Sequence, residues 1–372
     1  MRCVVIGPTY PYRGGISHYT TMLVQALRRL HPVTFYSFKQ QYPSFLFPGK
    51  TDRDNSTASL QVKCEYVLDP LNPLTWSETA RKIVAMAPDS LLMAWWHPYW
   101  AIVWLYLARR ARKRGIKVLY IAHNVVAHEA RFWDRTLARA TLSTADGVIV
   151  HSEEELNRLK HLLPRVQARV VPMPTFAPLS RDVSSQAEAR TQLALGLNQQ
   201  VILFFGFVRP YKGLAILLEA MAQAVGLDLH LLVVGEFWLP EERIRETIAQ
   251  LDLSDKVTIV NQYVPNEAMG RYFAAADVVV LPYLRASGSA VVQLAFGFGK
   301  PVIATAVGGL KEIVVPGETG LLVPPNDCQA LTTALYRFFG ELNGHNWTGA
   351  ILAQNEHFSW ERLVGHIVEM SA

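Results

Sequence analysis

Two cations in one short turn raise the first question of chemistry. In "FFGFVRPYKGL", an apolar run ends at Gly206, and Arg209 and Lys212 follow with a proline between them. A planar guanidinium fork and a compact ammonium both suit phosphate oxygens. Solvated loop cations would show the same spacing, so spacing alone leaves both readings open. A second stretch, "LRASGSAVVQLAFGFGKPVIAT", places Ser287, Gly288, Ser289 and Ala290 at the opening of an expected helix. Small residues let a ligand approach free backbone N–H groups, and the helix dipole favours an anion there. A plain N-cap by Ser287 or Ser289 accounts for the same residues.

The first half of the chain carries further candidates. "YRGGISHYTTML" sets Gly14 and Gly15 between an expected strand and an expected helix, with Arg13 and His18 flanking them as candidates to face a cleft. A glycine pair permits positive φ and close approach of a ligand, although the full G-x-G-x-x-G of dinucleotide sites is missing and a tight turn explains the pair equally. His123, in "IAHNVVAHE", ends an expected strand at the edge where open α/β sheets bind ligands. His97, in "WWHPYW", ends the preceding strand in the same manner, and packing against the surrounding aromatic residues is its structural explanation. "TDRD", residues 51–54, spells D-x-D, which can hold a metal–diphosphate pair, but in a polar loop it reads as solvated. No cluster of His, Cys and carboxylates has metal-ligand spacing, so no metal is expected.

These residues need a scaffold, and the hydropathy pattern supplies one. Short β-rich runs such as "RCVVIG", "LLMAWW", "KVLYIAH" and "GVIVHS" alternate with helical patterns; after a pause the rhythm resumes with "QVILFFGF", "DLHLLVVGE" and "DVVVLPY". This is the βαβ signature of a mostly parallel sheet covered on both faces, present twice. The fold class is α/β, with two Rossmann-like doubly wound domains and a cleft between them. The expected boundaries are 1–178 for the first domain and 196–356 for the second, with a Pro- and Ser-rich linker, "VPMPTFAPLSRDVSSQAEART", between them. A chain of 372 residues, half of them hydrophobic and 18% charged, is long enough for two cores.

Composition narrows the setting. Three well-separated cysteines argue against a disulfide framework and for a reducing compartment. The opening residues lack the apolar length of a signal peptide, so the expected location is cytoplasmic. "SLLMAWWHPYWAIVWLYLARR" imitates a membrane span, but His97 and Pro98 interrupt it, and a strand, a turn and a helix explain it better. The net charge is +5, and basic residues crowd "ARRARKRGIK", residues 108–117. Cations suit a helix C-terminus; they also suit anionic lipid headgroups, with nearby tryptophans assisting, which would make the protein peripheral on the inner membrane face. No nucleic-acid-binding motif accompanies the charge.

Nearly end to end, the chain resembles the GT-B glycosyltransferases, in particular the large retaining group that includes the phosphatidylinositol mannosyltransferases (family 4-like). The resemblance rests on "GGISHYTTML", "IAHNVVAHE", "ADGVIVHSEEELNRL", "FFGFVRPYKGLAILLEAM", "YVPNEAMGRYFAAADVVVLPY" and "GKPVIATAVGGLKEIVVPGETGLLVPPND". It implies that Arg209 and Lys212 bind the donor diphosphate and that Gly206, Gly288, Ser289 and Ala290 line its site. It further implies that Gly15 approaches the donor, that His123 contacts the transferred sugar, and that Tyr263 and Val264 line the nucleobase pocket. The terminal "FSWERL" resembles the helix, here 357–372, that crosses back to the first domain in this group. Two departures stand out. The group usually carries two glutamates separated by seven residues before "GKP"; Ala286 and Leu294 occupy those positions, and Gln293 is one residue out of register. Met173 replaces a common histidine in "VVPMP".

The expected function is therefore transfer of a sugar from a nucleotide-diphosphate sugar to a hydroxyl of a glycan, lipid-linked or polysaccharide acceptor, with retention at the anomeric carbon and without metal or other cofactor. The partners implied are a nucleotide sugar, that acceptor and an anionic membrane surface, but not nucleic acid. A catalytically inactive nucleotide-sugar-binding protein and a sugar-nucleotide epimerase of the same fold are the alternatives.

Overall fold

The computed structural model describes residues 1–43, 51–57, 60–126, 132–180, 184–354 and 356–372. The chain forms two compact units. The first comprises Met1–Asn55, Ser59–Pro174 and His357–Ala372, and the second Ser56–Ala58 and Thr175–Glu356.

The first unit is built on strands β1 (Cys3–Ile6), β2 (Val33–Phe38), β3 (Glu65–Leu68), β4 (Ser90–Trp95), β5 (Lys117–Ala122), β6 (Gly147–Val150) and β7 (Ala168–Val170). They pair in the order β3-β2-β1-β4-β5-β6-β7, all parallel. The central strands are apolar along their whole length because helices cover both faces. Those helices are α1 (Gly15–Arg28), α2 (Pro73–Met86), α3 (Ala101–Arg112), α4 (Asp134–Leu142) and α5 (Glu153–Leu162). The sheet order reverses between β1 and β4, so loops leaving those two strands diverge and open a crevice at the carboxyl edge.

The span-like stretch resolves into β4, a 3₁₀ turn at Pro98–Trp100 and the twelve-residue α3. Among the described residues no helix is long and apolar enough to cross a membrane. Its tryptophans are core residues. Trp95, Trp100 and Trp104 are fully buried, Trp100 stacks on Trp104 at 5.4 Å, and Phe38 lies 4.3 Å from Trp100. The expectation that they assist a lipid contact is thus corrected: their apolar area is spent on joining α3 to the sheet.

The second unit holds β8 (Gln200–Phe205), β9 (Leu229–Val234), β10 (Val257–Val260), β11 (Val278–Leu281), β12 (Val302–Thr305) and β13 (Gly320–Val323), again parallel, in the order β10-β9-β8-β11-β12-β13. Its helices are α6 (Gln186–Gln192), α7 (Leu214–Gln223), α8 (Glu241–Gln250), α9 (Asn266–Ala275), α10 (Ala290–Gly297), α11 (Leu310–Ile313), α12 (Cys328–Tyr336) and α13 (Trp347–Ala353). The stretch expected to be linker is partly structured. Ser185 and Glu188 form a capping box that starts α6. From α6, buried Arg190 reaches both carboxylate oxygens of Asp277 at 2.9 and 2.8 Å. Local polarity hid this helix, because its stability comes from that distant pair and from packing on α9.

The last helix, α14 (Trp360–Ser371), belongs to the first unit. Leu363, Val364, Ile367 and Met370 form its buried face, and Ser371 Oγ donates to Ser90 Oγ at 3.1 Å.

Candidate functional site

The second unit's sheet reverses order between β8 and β11, and the two cation- and serine-bearing segments leave those two strands. The crevice expected of such a reversal therefore lies between Gly206–Gly213 and Pro282–Ala290. Backbone contacts tie its walls together. Leu284 N donates to Tyr211 O at 2.8 Å, and Gly309 N donates to Ser287 O at 3.2 Å. Two of the glycines here are required. Gly213 has φ +72°, and a Cβ on it would lie 1.9 Å from Pro282 O; Gly308 has φ +51°, and a Cβ would lie 1.7 Å from Ala286 O.

Lys212 ends a 3₁₀ turn at Pro210–Lys212 and is only 7% exposed. Its ammonium lies 5.5 Å from the ring centre of Tyr283, which follows β11. A Cβ placed on Gly206 would meet Lys212 Nζ at 3.0 Å and Val291 Cγ2, in the first turn of α10, at 3.5 Å. The ammonium, the strand-end glycine and the start of α10 thus share one small volume. Burial, and then the Arg209 guanidinium, pull the Lys212 pKa down to about 8. Arg209 lies 5.3 Å from the Tyr211 ring and 5.2 Å from Trp238. Helix α10 starts at Ala290, later than the sequence suggested: Ser287 and Gly288 precede it, and Ser289 is its N-cap, accepting from Val291 N at 3.2 Å.

Around the ends of β8, β9 and β10 the expected Tyr263 is joined by two aromatic rings, Phe207 and Trp238, that the sequence did not single out. Phe207 is 4.6 Å from Trp238 and 6.5 Å from Tyr263, and Val264 is buried beside them. Buried Glu236, at the end of β9, accepts from Trp238 Nε1 at 3.1 Å. Ala286 and Leu294 are buried. Gln293 is fully buried, and neither amide atom finds a partner among the described residues.

In the first unit, Gly14 (φ +112°) turns the chain into α1, and Gly15 is the first helical residue. His18 Nε2 lies 3.6 Å from Asp54 Oδ2, and both residues are buried. This corrects the solvated reading of the D-x-D segment at Asp54, while Arg53 is exposed as expected. Asp54 N donates to Pro11 O at 2.8 Å, Arg13 N donates to Asp52 O at 3.0 Å, and the Arg53 guanidinium lies 4.6 Å from the Tyr12 ring. The segment folds over the glycine turn, and Arg13 is buried there. Part of the longer polar loop around it, residues 47–50 and 58–59, lies outside the described residues, as do 127–129 of "IAHNVVAHE". His97 is exposed, with the Tyr42 ring 6.4 Å away and perpendicular to it; its Nδ1 accepts from Tyr99 N at 3.1 Å and caps the 3₁₀ turn.

His123 directly follows β5, and its N–H donates to Trp95 O at 2.9 Å. The residue is partly exposed, yet its Nε2 is buried. Burial, and then neighbouring His151, hold its pKa well below the usual histidine range. The following turn is fixed at Val125, whose N–H donates to buried Glu155 Oε2 at 2.6 Å and whose carbonyl accepts from Trp95 Nε1 at 3.3 Å. Nothing in the local sequence marked Glu155 as more than a first-turn acid of α5. Among the described residues, no group of three or more His, Cys, Asp or Glu could hold a metal ion.

Two family models match: a glycosyl transferase 4-like domain over residues 14–174 and a glycosyl transferases group 1 domain over residues 199–341. Curated relatives include D-inositol 3-phosphate glycosyltransferase of Nocardia farcinica, 29% identical over 61% of this chain and 52% of the relative. The corresponding protein of Segniliparus rotundus is 35% identical over 47% of this chain and 40% of the relative. In the first three such matches the aligned region spans 52–60% of the relative's length. Among solved structures, a sucrose-phosphate synthase from Thermosynechococcus elongatus aligns with TM-score 0.71 and 24% identity, covering 100% of this chain and 98% of the other. Anabaena HepE in complex with UDP aligns with TM-score 0.76 and 18% identity, covering 99% of each chain. These likenesses establish the fold.

Proposed function

The chain belongs to the glycosyl transferases of group 1, with a 4-like domain preceding the group 1 domain, and from that premise we propose that it transfers a sugar from a nucleotide-diphosphate sugar to an acceptor hydroxyl with retention of configuration. The observation that carries the reading is the shared volume of the Lys212 ammonium, Gly206 and the first turn of α10. A diphosphate placed there would meet Lys212, the Arg209 guanidinium and backbone N–H groups at the start of α10.

As the glycosidic bond breaks, negative charge grows on the leaving diphosphate, and these preorganised groups stabilise it. The acceptor hydroxyl adds to the anomeric carbon from the same face, and a leaving phosphate oxygen takes its proton. His123 contacts the transferred sugar and Gly15 admits a donor group close to the backbone. Tyr263 and Val264, joined by Phe207 and Trp238, form the base-binding side. Arg13, His18 and His97 are the acceptor-side candidates of the first unit, and the step uses no metal. Relatives named for inositol phosphate glycosylation and a neighbour solved with UDP support this class of donor and acceptor.

A surface feature supports a peripheral location at anionic lipid. Trp76, Ile102 and Tyr106 line an open groove of about 760 Å³ together with Arg109, Arg110, Arg112 and Lys113. Apolar side chains beside a basic cluster suit a headgroup layer. Co-sedimentation with phosphatidylglycerol vesicles, lost at high salt and with phosphatidylcholine, tests it.

The principal experiment replaces Arg209 and Lys212 with alanine and measures donor affinity and transfer across a panel of nucleotide sugars. Each charge-assisted contact is worth ~1.5–3 kcal/mol, so losses of about tenfold or more are expected. Unchanged binding and turnover would end the proposal. The buried, uncharged Ala286 and Leu294 favour one rival, an inactive nucleotide-sugar-binding protein; slow donor hydrolysis without acceptor would exclude it.

A further inference from the structure

His123 sits in a cluster of rings drawn from four elements. Tyr19 of α1 is the hub. Its ring centre lies 4.7 Å from His123, perpendicular to it, 5.2 Å from His151 and 5.2 Å from Trp360 of α14. His123 and His151 are themselves 5.6 Å apart. Edge-to-face contacts of this kind are directional, so each ring restricts the torsions of its neighbours.

The polar atoms of the cluster are ordered as well. His151 Nδ1 lies 2.8 Å from Val171 O. A carbonyl can only accept, so Nδ1 carries the proton, and Nε2 of the neutral ring is an acceptor. His151 Nε2, His123 Nε2 and Tyr19 Oη are all buried, and none has a partner among the described residues. Three polar ends on mutually touching rings are more than core packing requires, because phenylalanine and leucine would fill the same space without them.

We infer that Tyr19, His151 and Trp360 are positioning residues for His123, holding its imidazole in one orientation at the carboxyl edge of β5. The inference rests on the transferase reading only for what His123 does, not for how it is held. Trp360 arrives from the end of the chain, so the last helix supplies one wall of the cluster. His151 touches both Tyr19 and His123, and burial takes its pKa down to about 4 and keeps the ring uncharged.

The test uses the full chain, uniformly ¹⁵N-labelled, with histidine ring nitrogens read by long-range ¹H–¹⁵N correlation. Tyr19→Phe removes one oxygen and keeps the ring; Trp360→Ala removes the wall, and Trp360→Phe restores an aromatic one. We expect the His123 nitrogens to shift in Tyr19→Phe and Trp360→Ala and to return towards wild type in Trp360→Phe. On the transferase reading, kcat falls at least about tenfold in Trp360→Ala, since small misplacements of a reacting-site group are costly, while nucleotide affinity holds within about twofold, its cradle being built from other residues. If Trp360→Ala does not fold, Tyr19→Phe decides. A folded Tyr19→Phe protein with wild-type His123 nitrogens and wild-type turnover overturns the inference. A wild-type protein with neither transfer nor donor hydrolysis would defeat the transferase reading instead, and the nitrogen shifts would still decide the positioning.

Discussion

The Lys212 ammonium faces the ring of Tyr283 across the strand reversal of the second unit, 5.5 Å from its centre. One residue follows β8 and the other follows β11, so the pair marks where the two halves of that sheet meet. The cation sits against an aromatic face and away from solvent, and burial, then the Arg209 guanidinium, sets its titration.

The first prediction concerns pH. Lys212 has a pKa lowered to about 8 by burial and then by Arg209, and an anion is bound by the protonated form. Affinity for a nucleoside diphosphate should be flat below about pH 7 and weaken up to about tenfold per unit above pH 8. Lys212→Arg should abolish that slope, because guanidinium stays charged. Calorimetric titration with UDP and GDP between pH 6 and 9.5 checks it; a slope shared by both proteins would exclude Lys212 as its source.

The same group affects stability. Its folded pKa lies below its unfolded value of 10.5, so the unfolded chain binds more protons between about pH 8 and 10.5. The penalty for burying the charged form is therefore full below pH 8 and relieved as pH rises through that window. It is on the order of 3 kcal/mol. Lys212→Met should raise the ligand-free melting temperature at pH 7 while weakening nucleotide binding, as two thermal melts per protein would reveal.

Gly213→Ala should be severe. Its φ of +72° and a Cβ 1.9 Å from Pro282 O force the two crevice walls apart. We expect a loss of ~2 kcal/mol or more in stability and no measurable nucleotide binding. Gly226→Ala is the control: it has φ +88°, but a Cβ there meets nothing within 4 Å. It should cost only the backbone strain and keep affinity.

Glu155→Ala strands the Val125 N–H and leaves Arg158, which Glu155 Oε1 holds at 2.7 Å, with Glu154 as its remaining carboxylate partner. A buried donor left unpaired costs about 1–3 kcal/mol, and turnover should fall with it because this turn carries on directly from His123. Glu155→Gln keeps an acceptor and should recover most of the activity. Denaturant melts with kinetics on both variants separate the fold from the site.

Gln293→Leu should leave nucleotide affinity unchanged within about twofold and should not lower stability, since replacing a buried amide that has no partner among the described residues by an apolar group of similar size is neutral or favourable. A tenfold loss of affinity would show instead that Gln293 stands in for the missing second glutamate.

Much was legible in the residue order because it depends on local patterning. The alternation of apolar runs and amphipathic segments specified two parallel sheets, since only strands buried on both faces are apolar throughout. Arg209, Lys212 and the Ser287–Ala290 stretch could be placed at strand ends for the same reason. What the order of residues left open was decided by contacts distant in sequence. Lys212 is a buried cation set against Tyr283, and it shares the space at Gly206 with Val291, both more than seventy positions later. Asp54 is paired rather than solvated only because residues 51–54 fold back onto the glycine turn that carries His18. His123 gains its ring cluster from α1, from the strand after its own and from the last helix of the chain. Burial and electrostatic environment are properties of that assembled neighbourhood, and no window of local sequence contains them.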